Sequence, residues 1–125
     1  MNNFYEQIRI NSIELEIESH SAWLGHVPGL EAEKLLRGRK IPYLYVLRSG
    51  ETATQNQKDY YVTFIDSDLS VKHQPFVVTT AVEGWYFENG AGGGPYKDAS
   101  IMDVLHLIMH CSKDECTPLT PFELK

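Results

Sequence analysis

The 125-residue sequence predicts an α+β fold in which a central antiparallel β-sheet is flanked by two α-helices. Three consecutive stretches rich in Val, Tyr and Phe predict neighbouring strands joined by short turns. A helical pattern precedes these strands, and a second helical pattern follows them. The first strand is apolar at nearly every position, so it needs cover on both faces of the sheet, which two helices supply.

Composition and charge indicate one domain of an ordinary globular type, with 42% hydrophobic and 22% charged residues. No stretch approaches the roughly 20 apolar residues of a membrane-spanning helix, and the N-terminus does not resemble a signal peptide. The two cysteines are too few for a disulfide scaffold. A net charge of -6 argues against binding nucleic acid through its phosphates. We therefore expect a cytoplasmic protein that binds neither nucleic acid nor membrane.

The chain is predicted to divide into an N-terminal extension, residues 1–20, and a main domain, residues 21–125. In the extension, apolar residues alternate with Glu over 13–17, which predicts a half-buried strand. Residues 30–37 have apolar residues at helical spacing, with acids early and bases late, as the helix dipole favours. Pro-Gly before this segment and Gly after it mark the ends of a helix.

Three strands are predicted next, over residues 43–49, 60–66 and 69–78. The turn-forming sequence Asp-Ser-Asp separates the second strand from the third. Pro75 cannot donate a hydrogen bond to a neighbouring strand, so we expect the later part of the third strand to lie at an edge or to be bulged.

The last part of the chain contains a short aromatic strand at 84–88, a Gly-rich loop at 89–95 and a helix at about 100–110. Ser100 and Asp103 have the spacing of a capping box at the start of this helix. One apolar stripe, predicted to face the core, consists of Ile101, Val104, Leu105 and Ile108.

The charges are unevenly distributed: residues 1–33 hold six acids and one base, whereas 34–50 hold no acid. The bases of the second segment are Lys34, Arg37, Arg39, Lys40 and Arg48. Two interpretations stay open: bases at a solvated helix C-terminus, or a pocket for one anionic group.

Arg48 is the most informative residue, because it stands in an apolar strand and Arg is almost never buried without a partner. No acid lies near it in sequence, so its partner must be a distant acid or a ligand. The segment that follows it is rich in hydroxyls and backbone N–H groups, as anion-binding loops are. His73 occupies the apolar face of the third strand, where a lone His is usually a hydrogen-bonded core residue.

Five segments in this order resemble Src-homology-2 (SH2) domains: AWLGHVPGLEAEKLL, YVLRSGE, LSVKHQPF, GWYF and SIMDVLHLI. They resemble, in turn, the first helix, the arginine-bearing strand, the histidine-bearing strand, a later strand and the second helix of that family, and the resemblance as a whole covers roughly residues 22–120. The resemblance implies that the chain is a divergent member of this family, which binds phosphotyrosine peptides.

The resemblance also implies roles for individual residues. Arg48 falls on the phosphate-binding arginine and His73 on the histidine near the phosphotyrosine ring. Four further residues fall in the loop that wraps the phosphate: Ser49, Glu51, Thr52 and Thr54. Gln74 and the Gly-rich loop border the peptide groove, where the loop is either a lid or a plain connection; its glycines include Gly92, Gly93 and Gly94.

The sequence departs from the family pattern around the phosphate. Gly29 stands where many members have a second arginine, and Gly50 stands where the pocket serine is expected. Pro75 replaces a lysine, and Ala22 takes the position of the usual tryptophan. Arg48 is therefore expected to carry an unusually large share of phosphate binding.

The function implied is a non-enzymatic, monomeric phosphotyrosine-binding module without cofactors. Its partners would be tyrosine-phosphorylated proteins or peptides, and it would act as an adaptor or competitor in the cytoplasm, or in a host cytoplasm for a secreted pathogen protein.

Three alternatives remain. The first is a zinc site formed by His106, His110, Cys111 and Cys116. The second is a cysteine nucleophile from the same group. The third is a structural interaction domain in which Arg48 forms an internal ion pair.

Overall fold

The computed structural model describes residues 14–53, 57–79, 86–88, 96–97 and 100–120; for 51–53, 57, 79, 86–88 and 96–97 it describes the backbone only. The helices are α1 over 14–18, α2 over Gly29–Leu36 and α3 over Ile101–Met109, followed by a 3-10 turn at Lys113–Glu115. The strands are β1 Leu44–Ala53, β2 Gln57–Ile65, β3 Val71–Thr79, β4 Tyr86–Glu88, β5 Tyr96–Lys97 and β6 Thr117–Pro118.

The strands form one sheet in the order β5-β4-β3-β2-β1-β6. Neighbouring strands from β1 to β5 are antiparallel, whereas β6 is parallel to β1 and pairs with its first two residues. The predicted α+β class is confirmed, with a central sheet flanked by helices. The sheet is mixed rather than purely antiparallel, because the chain that follows α3 returns to the sheet beside the first residues of β1 and runs parallel to them.

Alternation along β1 divides the interior into two apolar clusters. Leu44 and Val46 face α2, whereas Tyr45 and Leu47 face α3, and all four are at most 2% exposed. The cluster on the α2 side contains Ala32, Leu36, Leu44, Val46, Ile65 and Leu119. The larger cluster on the other side includes Tyr60, Val62, Phe64, Phe76 and the apolar stripe of α3. Cover on both faces of β1, predicted from its continuous apolar run, is confirmed.

The strand predicted at 13–17 is wrong for its described residues, because 14–18 are helical. Helical spacing brings Glu14 and Glu18, four residues apart, to the same ammonium group: Lys58 Nζ lies 3.6 Å from Glu14 Oε2 and 2.7 Å from Glu18 Oε2. Ile17 is fully buried in the larger cluster, and Leu15 is 68% exposed. Of the two apolar residues of this segment that the structure describes, only Ile17 is therefore buried, so the alternation of apolar and acidic residues does not mark one face of a strand.

The helix predicted at the end of the chain is confirmed, with its cap. Ser100 Oγ accepts from the Asp103 N–H at 3.2 Å, and the Asp103 carboxylate accepts from the Ser100 N–H at 2.8 Å. All four residues of the predicted apolar stripe are buried. No helix in the described ranges is long and apolar enough to cross a membrane.

Pro75 lies in β3 opposite Tyr61 of β2, but the described pairing of β3 with β4 covers only Val77–Thr79. Within the described residues, Pro75 is thus paired on one side, as expected for a residue that lacks an N–H.

His20 links the chain after α1 to the core and gives a prediction for pH dependence. Its Nδ1 accepts from the Ala22 N–H at 3.1 Å, so the ring proton is on Nε2, 3.1 Å from the Tyr45 hydroxyl. Burial lowers the pKa of His20 below its ordinary value of 6.5.

As pH falls below 6.5, the unfolded chain therefore takes up a proton at His20 before the folded protein does. The free energy of unfolding is expected to decrease there, by at most about 1.4 kcal/mol per pH unit from this group. Urea unfolding of the wild type and of His20→Gln between pH 5 and 8 measures the effect. An unchanged pH slope in His20→Gln would contradict the prediction.

Candidate functional site

Arg48 is buried near the middle of the sheet, on the face covered by α2, with 8% of its surface exposed. Its Nε–H donates to Thr63 Oγ1 at 3.1 Å, and Nη2 lies 3.3 Å from His73 Nδ1. The guanidinium also lies over the Tyr61 ring, with its central carbon 4.4 Å from the ring centroid. The side chain is thus held by one ring on its face and by two hydrogen-bonding groups at its edge.

The register of the sheet explains this arrangement. Arg48 of β1 is opposite Tyr61 of β2, and Thr63 of β2 is opposite His73 of β3. Because side chains two apart on a strand share a face, Tyr61 and Thr63 point to the same side, and their partners do as well. Arg48 and His73, both predicted for this site, are therefore brought together.

A helix residue completes the network from the α2 side. Thr63 Oγ1 is 3.0 Å from His73 Nδ1, and His73 Nε2 is 3.2 Å from Glu33 Oε1. The other oxygen of Glu33 accepts from Arg37, four residues further along the chain at the C-cap of α2. The hydrogen bond from His73 and then that from Arg37 lower the pKa of Glu33, so its carboxylate stays ionised at neutral pH.

Gly29, at the start of α2, approaches the guanidinium closely. A Cβ atom at this position would lie 3.1 Å from Arg48 Nη2 and 3.7 Å from His73 Cε1. An arginine at this position would thus press its own Cβ against Arg48. A glycine here is consistent with the packing of the buried arginine.

Gly50, at the position of the family's pocket serine, is constrained by β2. A Cβ atom there would lie 2.6 Å from the carbonyl oxygen of Asp59 and would also meet its carboxylate. The register of β1 against β2 shifts between Ser49 and Ala53, so this close approach lies in an irregular part of the ladder.

Gly50→Ser is therefore expected to lower the free energy of unfolding by about 1–3 kcal/mol, because backbone or Asp59 must move to admit the Cβ. Gly50→Ala should show the same loss, since the clash comes from the Cβ. Urea unfolding measures both, with Ser67→Ala in an exposed turn as the control, expected to stay within about 0.5 kcal/mol. A Gly50→Ser protein as stable as the wild type would contradict this account of why glycine stands at position 50.

Of the other predicted site residues, the two whose side chains are described, Ser49 and Gln74, do not join Arg48 and His73. Ser49 points to the opposite face of β1, where its Oγ is 3.2 Å from His26 Nδ1. Gln74 also faces the α3 side of the sheet, with its Nε2 donating to the Pro75 carbonyl at 3.1 Å. Glu51 and Thr52 belong to β1, and only their backbone is described. Outside the described residues are Thr54, Gly92, Gly93 and Gly94.

Three of the five bases in residues 34–50 contact groups of α2. Lys34 Nζ lies 3.6 Å from Glu31, Arg37 pairs with Glu33, and Arg39 Nε donates to the Leu35 carbonyl at 2.7 Å. These contacts fit the interpretation of bases near a helix C-terminus. Arg48 alone among the five bases named earlier is buried in the sheet.

Three of the residues proposed for zinc or nucleophilic chemistry, His106, Cys111 and Cys116, lie near one another at the C-terminal end of α3 and in the segment that follows it. The sulfur atoms of Cys111 and Cys116 are 3.6 Å apart, and His106 Nδ1 is 3.2 Å from the Cys111 carbonyl oxygen. Burial raises the pKa of Cys111 to about 12, which disfavours the thiolate that a nucleophile or zinc ligand needs. Among the described residues, no three His, Cys, Asp or Glu side chains are placed to hold a metal ion.

Sequence reasoning missed three members of the network: Tyr61, Thr63 and Glu33. Thr63 carried a signal, since it is the one residue of the run YYVTFI, residues 60–65, that is neither aliphatic nor aromatic. Tyr61 and Glu33 carried none, because their role depends on strand register and on the packing of α2 against the sheet.

Neither a protein-family model nor a curated protein matches this sequence.

Proposed function

We propose that this chain is a non-enzymatic phosphotyrosine-peptide binding module whose phosphate-binding residue is Arg48. The observation that carries the proposal is the buried guanidinium, held between the Tyr61 ring, Thr63 and His73 on the face of the sheet below α2. The ordered resemblance to SH2 domains supports the same residue and the same function.

The chemistry of the group fits a phosphoryl ligand. A phosphotyrosine phosphate carries about -1.5 to -2 charge and three acceptor oxygens. A guanidinium can donate to two of these oxygens at once, and charge-assisted bonds are about twice as strong as neutral ones. Thr63 and His73 accept from Arg48 Nε and Nη2, and because a guanidinium has five N–H donors, one side chain can keep these contacts and also donate to a phosphate.

The position of the group fits as well. His73 is partly exposed, so a ligand that packs on its ring reaches the guanidinium behind it. Gly29 has no side chain between α2 and Arg48. Partners would be tyrosine-phosphorylated proteins of the cytoplasm, and the chain would act as an adaptor or as a competitor for their phosphorylated sites.

The test is a fluorescence titration of the protein with one tyrosine peptide in phosphorylated and unphosphorylated forms. The proposal expects binding that needs the phosphate, that is lost in Arg48→Ala and that persists in Arg39→Ala, an exposed arginine of the same basic segment. Circular dichroism and urea unfolding establish that each variant is folded. Equal binding of both peptides by the folded wild type would favour a structural interaction domain, and no binding of either would reject the proposal.

A further inference from the structure

The directions of the hydrogen bonds around Arg48 follow from the chemistry of the groups. A guanidinium only donates, so His73 Nδ1, 3.3 Å from Arg48 Nη2, must be an acceptor. Thr63 is consistent with this, because its oxygen accepts from Arg48 Nε and its O–H can donate to the same Nδ1 at 3.0 Å. The ring proton of His73 therefore lies on Nε2, which faces Glu33 Oε1 at 3.2 Å.

We propose that Glu33 is a positioning residue of this site, whose carboxylate accepts the Nε2–H of His73, fixes Nδ1 as an acceptor and so holds the Arg48 guanidinium in place. The network then runs from the Arg48 cation through the neutral imidazole of His73 to the carboxylate of Glu33. Arg37 holds the other oxygen of that carboxylate. Such a partner behind a functional histidine sets its tautomer and its ring orientation. The importance of Glu33 for phosphotyrosine affinity rests on the proposed function, whereas the effect of Glu33 on His73 and Arg48 does not.

A carboxylate near an anion site has an alternative effect, which is to compete with the incoming phosphate. The geometry disfavours this role. Glu33 Oε1 contacts Nε2, whereas the guanidinium contacts Nδ1, so the imidazole ring stands between the carboxylate and Arg48. The second oxygen is turned toward Arg37 at the C-cap of α2.

Two substitutions separate positioning from competition. Glu33→Gln keeps an oxygen that accepts the Nε2–H and removes the charge, whereas Glu33→Ala removes the acceptor. Glu31→Ala is the matched control, since Glu31 lies on the same helix and pairs with the exposed Lys34. Urea unfolding of all variants establishes that they are folded.

The first readout needs no ligand. Proton–nitrogen NMR of the full chain at pH 8 reports the His73 tautomer and the Arg48 Nε–H resonance, assigned with His73→Gln and Arg48→Lys. We expect a protonated Nε2 and a protected Arg48 Nε–H in the wild type, Glu33→Gln and Glu31→Ala. In Glu33→Ala, the resonance of Arg48 Nε–H should broaden or exchange and the single tautomer should be lost. A wild-type ring protonated on Nδ1, or an unchanged Glu33→Ala spectrum, would overturn the proposal.

The second readout is the affinity for the phosphotyrosine peptide. Glu33→Ala should bind about 5-fold more weakly, the size of one hydrogen bond, and Glu33→Gln should stay within about 3-fold of the wild type. Tighter binding by either variant would identify Glu33 as a competitor and overturn its positioning role. If the wild type does not bind at all, the proposed function fails, and the ligand-free spectra alone decide the role of Glu33.

Discussion

Arg48→Lys is expected to lower the affinity for a phosphotyrosine peptide by about 30-fold or more, while the protein remains folded. Loss of one side of a buried charged contact costs about 2–5 kcal/mol, and 2 kcal/mol corresponds to about 30-fold in affinity. Lysine keeps the charge, but its ammonium cannot present the planar pair of donors that meets two phosphate oxygens. It also cannot keep the edge contacts of the guanidinium with Thr63 and His73.

Lysine is the informative substitution because removing a buried cation altogether risks the fold. Arg39→Lys makes the same chemical change at an exposed position whose described hydrogen bond is to a backbone carbonyl of α2. Its affinity should stay within about 2-fold of the wild type, the range of a small surface effect. Isothermal titration of the two variants gives the comparison. Equal affinities for Arg48→Lys and Arg39→Lys would show that the buried guanidinium does not bind the phosphate.

Tyr60→Ala is expected to lower the free energy of unfolding by about 3–5 kcal/mol, as for other buried aromatic residues. Tyr60 is fully buried in the larger cluster. Its ring stacks on Phe76 with centroids 5.6 Å apart, and meets Trp23 edge-on at 5.9 Å. Its hydroxyl donates to Glu18 Oε2 at 2.9 Å, so one side chain joins the sheet to α1.

Tyr60→Phe separates the two contributions, since it removes the hydroxyl and keeps the ring. Its loss should be about 1 kcal/mol, because Lys58 still pairs with the Glu18 carboxylate. Leu15→Ala, at a residue 68% exposed on α1, should change stability by less than about 0.5 kcal/mol. Urea unfolding measures all three. Equal losses in Tyr60→Phe and Tyr60→Ala would show that ring packing contributes little.

The elements that could be predicted are those whose signals are local. The capping residues Ser100 and Asp103 and the apolar stripe of α3 depend only on helical spacing. The continuous apolar run of β1 indicated burial on both faces, and residues 44–48 are all buried. Residues 13–17 misled because three apolar residues separated by glutamates fit a strand, whereas residues 14–18 are helical and place Glu14 and Glu18, four residues apart, against Lys58.

The site was predictable in part for the same reason. Arg48 was detectable because a cation in an apolar strand is costly unless it has a partner. Thr63 and Tyr61 depend on the register of β2 against its neighbours, and Glu33 depends on how α2 lies over the sheet. Ser49 was assigned through the family pattern, but strand alternation turns it away from Arg48. The sequence thus indicates candidate residues, and the strand register and the packing of α2 decide which of them contact Arg48.

A titration with phenyl phosphate, followed by the NMR signals of Arg48 Nε–H and the His73 ring, tests the central claim most directly. The account predicts saturable shifts of both signals, no shift with phenol, and loss of the His73 shift in Arg48→Lys. This probe carries the phosphoryl group and ring of phosphotyrosine without any peptide, so it reports on the pocket alone. Unchanged Arg48 and His73 signals, or shifts confined to exposed bases such as Arg39, would contradict the account.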